Sequence, residues 1–92
     1  MKVSVITVNL NNLEGLKKTV ASVLEQEYIN LEYLVIDGAS SDGSEKYLGN
    51  NSSNFFYWVS EKDSGVYEAM NKGIQKATGD YLIFLNSGDY FY

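Results

Sequence analysis

Four short apolar runs limit what this chain can fold into: Val3 to Val8, Glu32 to Ile36, Phe55 to Val59 and Tyr81 to Leu85. They are rich in β-branched and aromatic side chains and too short for stable helices, so each reads as a strand. Between them lie stretches of helical period. Leu13, Leu16, Val20, Val23 and Leu24 form one apolar stripe with Lys17, Lys18 and Glu25 opposite, and Tyr67, Met70, Ile74 and Ala77 form another. Strand alternating with helix predicts an α/β fold, a three-layer, mostly parallel sheet of about four strands with right-handed crossover helices.

Local signals place the boundaries. Asn11 and Glu14 have capping-box spacing ahead of the first helix, whose pattern runs to Glu27 or Tyr28. Asp42 and Glu45 repeat that spacing before a short second helix through Tyr47 and Leu48, and Gly49 to Asn54 is a polar surface loop. Gly79 stands where a C-cap glycine would close the third helix.

Composition removes several functions. The 92 residues carry a net charge of −5 with only 7 Lys and Arg, scattered along the chain, so a phosphate-neutralising nucleic-acid surface is not expected. Cysteine and histidine are both absent, which excludes disulfides, thiolate metal sites and imidazole bases. Any metal would be a hard cation held by oxygen, such as Mg²⁺, Mn²⁺ or Ca²⁺. No stretch is long enough to cross a membrane, and the start is too short and too alternating for a signal peptide, so a cytoplasmic location is the default expectation.

Each strand ends in a polar loop: Asn9 to Asn12, Asp37 onward, Glu61 to Asp63, and Asn86 to Asp89. In a parallel sheet those four ends share one edge, where ligands bind in open α/β folds. Asp37 can cap the following turn or accept from a ribose or base. Asp42 and Asp63 both stand in cap-like positions before helices, Asp63 beside Glu61 and Lys62. Lys72 either belongs to a solvated helical face or meets phosphate, with Asn71 next to it on the helix border. Asp89 follows a strand end and Gly88, with no visible helix after it. A dinucleotide-binding turn, a P-loop and the acidic pair of a receiver domain are all missing from the first loop, which reads Asn-Leu-Asn-Asn.

Three stretches carry a resemblance to a known family. They are Val3-Ser4-Val5-Ile6-Thr7-Val8-Asn9-Leu10-Asn11, then Glu32 through Asp37-Gly38-Ala39-Ser40-Ser41-Asp42-Gly43-Ser44, and Ser60-Glu61-Lys62-Asp63-Ser64-Gly65 through Ala69-Met70-Asn71-Lys72-Gly73-Ile74 to Leu85-Asn86-Ser87-Gly88-Asp89. Their order and spacing resemble the family 2 glycosyltransferases of GT-A fold, above all bacterial members that build surface polysaccharide. The resemblance implies a nucleotide-diphosphate sugar, usually UDP-linked, held at the sheet edge with Mg²⁺ or Mn²⁺, and a glycan or lipid-linked acceptor. By position it implies that Val8, Asn9 and Leu10 line the base and that Asp37 meets uracil or ribose. Asp63, Asn71 and Lys72 would lie near base and phosphates. Asn86, Ser87 and Asp89 would occupy the metal motif, with Asp89 as the ligand.

The chain departs from the family pattern in places. Leu10 stands where the family often has Tyr, Gly38 where it often has a second Asp, and Asn86-Ser87-Gly88-Asp89 replaces the usual Asp-X-Asp. Residues 1–92 are expected to form a single donor-binding subdomain, truncated relative to a full catalytic domain. The acceptor half and the general base of an inverting enzyme would follow Tyr92, so no catalytic residue is expected here and the chain alone is expected to be inactive. An exposed sheet edge predicts self-association. The alternative is a non-catalytic structural or assembly module that keeps the fold.

Overall fold

The computed structural model describes residues 1–26 and 30–89. Four strands, β1 (Val3–Asn9), β2 (Leu31–Asp37), β3 (Tyr57–Ser60) and β4 (Tyr81–Phe84), form one sheet in the order β3-β2-β1-β4. Every neighbouring pair is parallel, with Asn9 beside Asp37 and Asp37 beside Ser60 at the carboxyl ends. The helices are α1 (Leu13–Leu24), α2 (Ser44–Asn50) and α3 (Val66–Lys76), with a 3₁₀ turn at Ser52–Asn54.

Alternation along the strands sends successive side chains to opposite faces and builds two cores. On one face Val5, Tyr33 and Val35 pack with Leu16, Val20 and Val23 of α1 and Leu48 of α2. On the other, Ile6, Leu34 and Ile36 pack with Ala69 of α3. Helices on both faces give the expected three-layer α/β architecture. Fully burying one such Leu or Ile contributes about 1.5–3 kcal/mol, so both layers hold the central strands.

The boundaries differ from expectation at several points. Asn12, not Asn11, caps α1: its Oδ1 accepts from the Gly15 N–H, while Asn11 takes a positive φ of 47° in the preceding turn. That helix ends at Leu24, and Glu27 and Tyr28 lie outside the described residues. Gly43 occupies the N-cap position of α2. Asp42, one residue earlier, accepts from Ser44 N–H and Oγ and from the Leu13 N–H, so it ties the two helix starts together. Those bonds, the Ser44 hydroxyl foremost, lower its pKa. The third strand begins at Tyr57, because the 3₁₀ turn Ser52–Asn54 runs up to Phe55, whose ring packs edge-on against Tyr33.

The largest difference is the face α3 buries. Ala69 and Gly73 face the sheet, whereas Tyr67 is 80% exposed and Ile74 is 42% exposed. Close approach explains this, because a Cβ on Gly73 would stand 2.6 Å from Ile6 Cγ2. Small residues let the helix sit low on β1 and β2, and a Tyr at that seam would hold it off. Nor is Gly79 a helix cap: α3 ends at Lys76 with Ala77 as C-cap, and Gly79 instead passes so near β1 that a Cβ would meet Ser4 Oγ at 2.5 Å.

Candidate functional site

The carboxyl ends of β1, β2 and β3 meet around one pocket of about 180 Å³. Val8 and Asn9 line it from β1, Leu10 and Gly38 from just past β1 and β2, Asp63 and Gly65 from the loop after β3, and Val66 and Ala69 from the start of α3. Its walls are mainly apolar. Asp63 brings a carboxylate, with Oδ2 3.4 Å from where a Cβ on Gly38 would stand, so the missing side chain at position 38 leaves space that Asp63 and Leu10 border.

Asp37 lies beside this pocket and is fully buried. Its Oδ1 accepts from Asn9 Nδ2 at 2.7 Å and Ser40 Oγ at 2.6 Å. Its Oδ2 accepts from the Ser40 N–H at 2.9 Å and Ser60 Oγ at 2.8 Å. The carboxylate thus joins β1, β2 and β3 at the floor of the site and caps the turn after β2. Asn9 gives its amide N–H to Asp37, while its Oδ1 is buried without a hydrogen-bond partner among the described residues. A buried acceptor left unpaired costs about 1–3 kcal/mol.

Lys72 does not face an open phosphate site. Its ammonium donates to Asp63 Oδ1 and lies 3.0 Å from Glu61 and 3.9 Å from Glu68. The hydrogen bond to Asp63 raises its pKa. Asn71 is exposed and does not line the pocket.

Asn86, Ser87 and Asp89 form a separate tight turn after β4. Gly88 has φ 101° there, a conformation that favours glycine. Asp89 Oδ2 accepts from the Asn86 N–H at 2.9 Å, bracing the turn on itself. Thr19 pins it to α1: its hydroxyl donates to the Asp89 carbonyl at 2.8 Å and accepts from the Gly88 N–H at 2.8 Å. The Ser87 N–H reaches the Val8 carbonyl at 3.2 Å, which sets the turn beside the pocket. Sequence reasoning misses Thr19, and one signal pointed to it. It is a polar residue in the buried Leu16–Val20–Val23 stripe, which asks for an internal partner.

As a resident metal site the turn is incomplete. Among the described residues no group of three or more acidic, His or Cys side chains is placed to hold an ion. Asp89 supplies one carboxylate, and one of its oxygens is already engaged by the turn.

The profile of the family described as Glycosyl transferase family 2 matches residues 4–92. The chain belongs to glycosyltransferase family 2. It is 51% identical over 90 residues to an uncharacterised glycosyltransferase of Mycobacterium tuberculosis, covering 97% of this chain and 34% of that protein. It is 34% identical over 90 residues to TuaG of Bacillus subtilis, a glycosyltransferase assigned to teichuronic acid biosynthesis, covering 95% of this chain and 36% of that protein. The chain therefore spans about a third of the length of these relatives. Among solved structures, the Pyrobaculum calidifontis mannosyltransferase in complex with GDP-Man and Mn²⁺ superposes with TM-score 0.85 at 24% identity, covering 98% of this chain and 28% of that one. S. aureus TarS 1–349 in complex with UDP superposes at 0.84 with 25% identity, covering 98% and 28%. The fold is thus that of the GT-A glycosyltransferases. Among the described residues no helix is long and apolar enough to cross a membrane.

Proposed function

We propose that this family 2 chain binds the nucleotide of a sugar-nucleotide donor, a UDP-sugar, with the base in the pocket at the ends of β1–β3. The observation that carries this reading is the apolar pocket at the carboxyl ends of the strands, with the Asp63 carboxylate bordering the space over Gly38. A flat ring with an N–H edge would fill such a space and meet the Asp63 carboxylate. Val8 and Leu10 would border the ring, and Asp37, already tied to four donors, would act by fixing Asn9 and the Ser40 turn. The S. aureus neighbour in complex with UDP supports a uridine nucleotide, while the Pyrobaculum neighbour in complex with GDP-Man supports the sugar-nucleotide class as a whole.

The turn Asn86–Asp89 lies next to Val8, where the diphosphate of such a donor would extend. A divalent cation fits there only if the donor's own phosphate oxygens supply most of its shell, the usual arrangement for Mg²⁺. Such a cation, with Asp89 as its protein ligand, would offset charge on the departing diphosphate. In this reading acceptor binding and the general base of an inverting transfer would fall outside residues 1–92, which match about a third of the relatives' length. The 92 residues alone are therefore expected to bind donor without transferring sugar to a glycan or lipid-linked acceptor.

Isothermal titration tests the reading. UDP should bind, Asp63→Ala should weaken it on the order of tenfold, as expected for loss of a hydrogen bond to a charged group, and Mn²⁺ should bind measurably only when UDP is present. Absence of UDP binding at millimolar concentration would overturn the proposal. Tight Mn²⁺ binding to the nucleotide-free chain would overturn the metal assignment alone.

A further inference from the structure

Lys72 contacts three carboxylates: it donates to Asp63 Oδ1 and also lies 3.0 Å from Glu61 and 3.9 Å from Glu68. Glu68 in turn accepts from the Ser64 N–H and hydroxyl. The segment Glu61–Ser64, which has no regular structure, is thereby tied to α3 through two charged side chains. Asp63 is divided between two tasks. One oxygen is held by Lys72, and the other borders the open space above Gly38. With its side chain only 8% exposed, Asp63 has little room to turn either oxygen elsewhere.

We propose that Lys72 is a positioning residue that fixes Asp63 at the pocket wall as the acceptor for a ligand N–H, without touching the ligand itself. This rests on the donor reading and deepens it by assigning the N–H of the base to Asp63. A lysine neutralising one of three carboxylates leaves its surroundings net negative, which disfavours phosphate at that point. Its hydrogen bond instead removes one of the two orientations an Asp carboxylate could take. The oxygen that remains faces a ring edge and would distinguish a base carrying an imide N–H from one that lacks it, since a buried charged acceptor left unpaired is costly.

The test compares UMP with N3-methyl-UMP, which lacks the N–H, by equilibrium titration. The unmodified chain should prefer UMP by on the order of tenfold, the size of one charge-assisted hydrogen bond. Lys72→Met should bind N3-methyl-UMP as the unmodified chain does, which also shows that it folds, yet lose the preference for UMP. Lys72→Arg, which can still hold one Asp63 oxygen, should restore it. A preference that survives in Lys72→Met, or an equal weakening of both ligands, overturns the inference. Equal binding of both ligands by the unmodified chain overturns it too, while leaving the donor reading intact. If the unmodified chain binds neither ligand, the donor reading falls and the inference falls with it.

Discussion

Asp37 receives four hydrogen bonds at zero exposure, and each comes from a different group on β1, the turn after β2, or β3. Asp37→Asn puts an amide N–H₂ where an oxygen now accepts. The Ser40 N–H cannot rotate away, and a serine hydroxyl can only partly adapt. The expected loss is about 2 kcal/mol, or roughly 8–16 °C in melting temperature for a domain of this size; a shift below about 2 °C would show that the network carries little stability. The carboxylate itself is legible in the sequence as the polar end of an apolar strand. Its partner Ser60 is not, because that contact spans 23 positions and depends on which strands are neighbours. Thr19 stands out as a polar residue in an apolar stripe, but its partner is illegible for a similar reason, since the turn it holds is 69 and 70 positions away.

At the scale of elements, Glu32 latches β2 to its surroundings. It accepts from Ser4 Oγ on β1 and from the Thr78 N–H and hydroxyl ahead of β4, and Lys2 lies at 3.4 Å. Burial would raise its pKa, but the Thr78 and Ser4 hydrogen bonds and the Lys2 charge outweigh it and hold the carboxyl at about 2 rather than 4.5. A depressed folded-state pKa means stability that is complete above the unfolded value near 4.5 and lost as pH falls toward about 2. Melting temperatures recorded across that window should fall steeply for the unmodified chain and more gently for Glu32→Gln, which starts lower and has nothing there to titrate. Parallel curves for the two would contradict the latch. Helix α3 shows where element-level reading fails. Tyr67 and Ile74 keep helical period and so read as a buried stripe, but the true seam is Ala69 and Gly73, whose small side chains give almost no hydrophobic signal. The existence of α3 is legible, and its rotation is not.

Across the whole molecule, both strand count and layer order follow from the alternation of strand and helix, because parallel strands need crossovers. The sheet edge raises a separate matter. At the edge, β4 pairs only with β1 among the described strands, and Tyr81, Leu82 and Ile83 are 58%, 42% and 36% exposed. The strand's sequence YLIF carries no charge or proline to blunt pairing. Sedimentation of the chain should therefore show mass rising with concentration, and Ile83→Lys should suppress it; a clean monomer at high concentration would contradict this expectation. Backbone amide NMR with UDP tests base recognition at the carboxyl edge. Shifts should concentrate at residues 8–10, 37–41, 60–66 and 86–89 and leave the amino ends of the strands unmoved. Saturable shifts centred elsewhere, or none at millimolar UDP, would contradict the account.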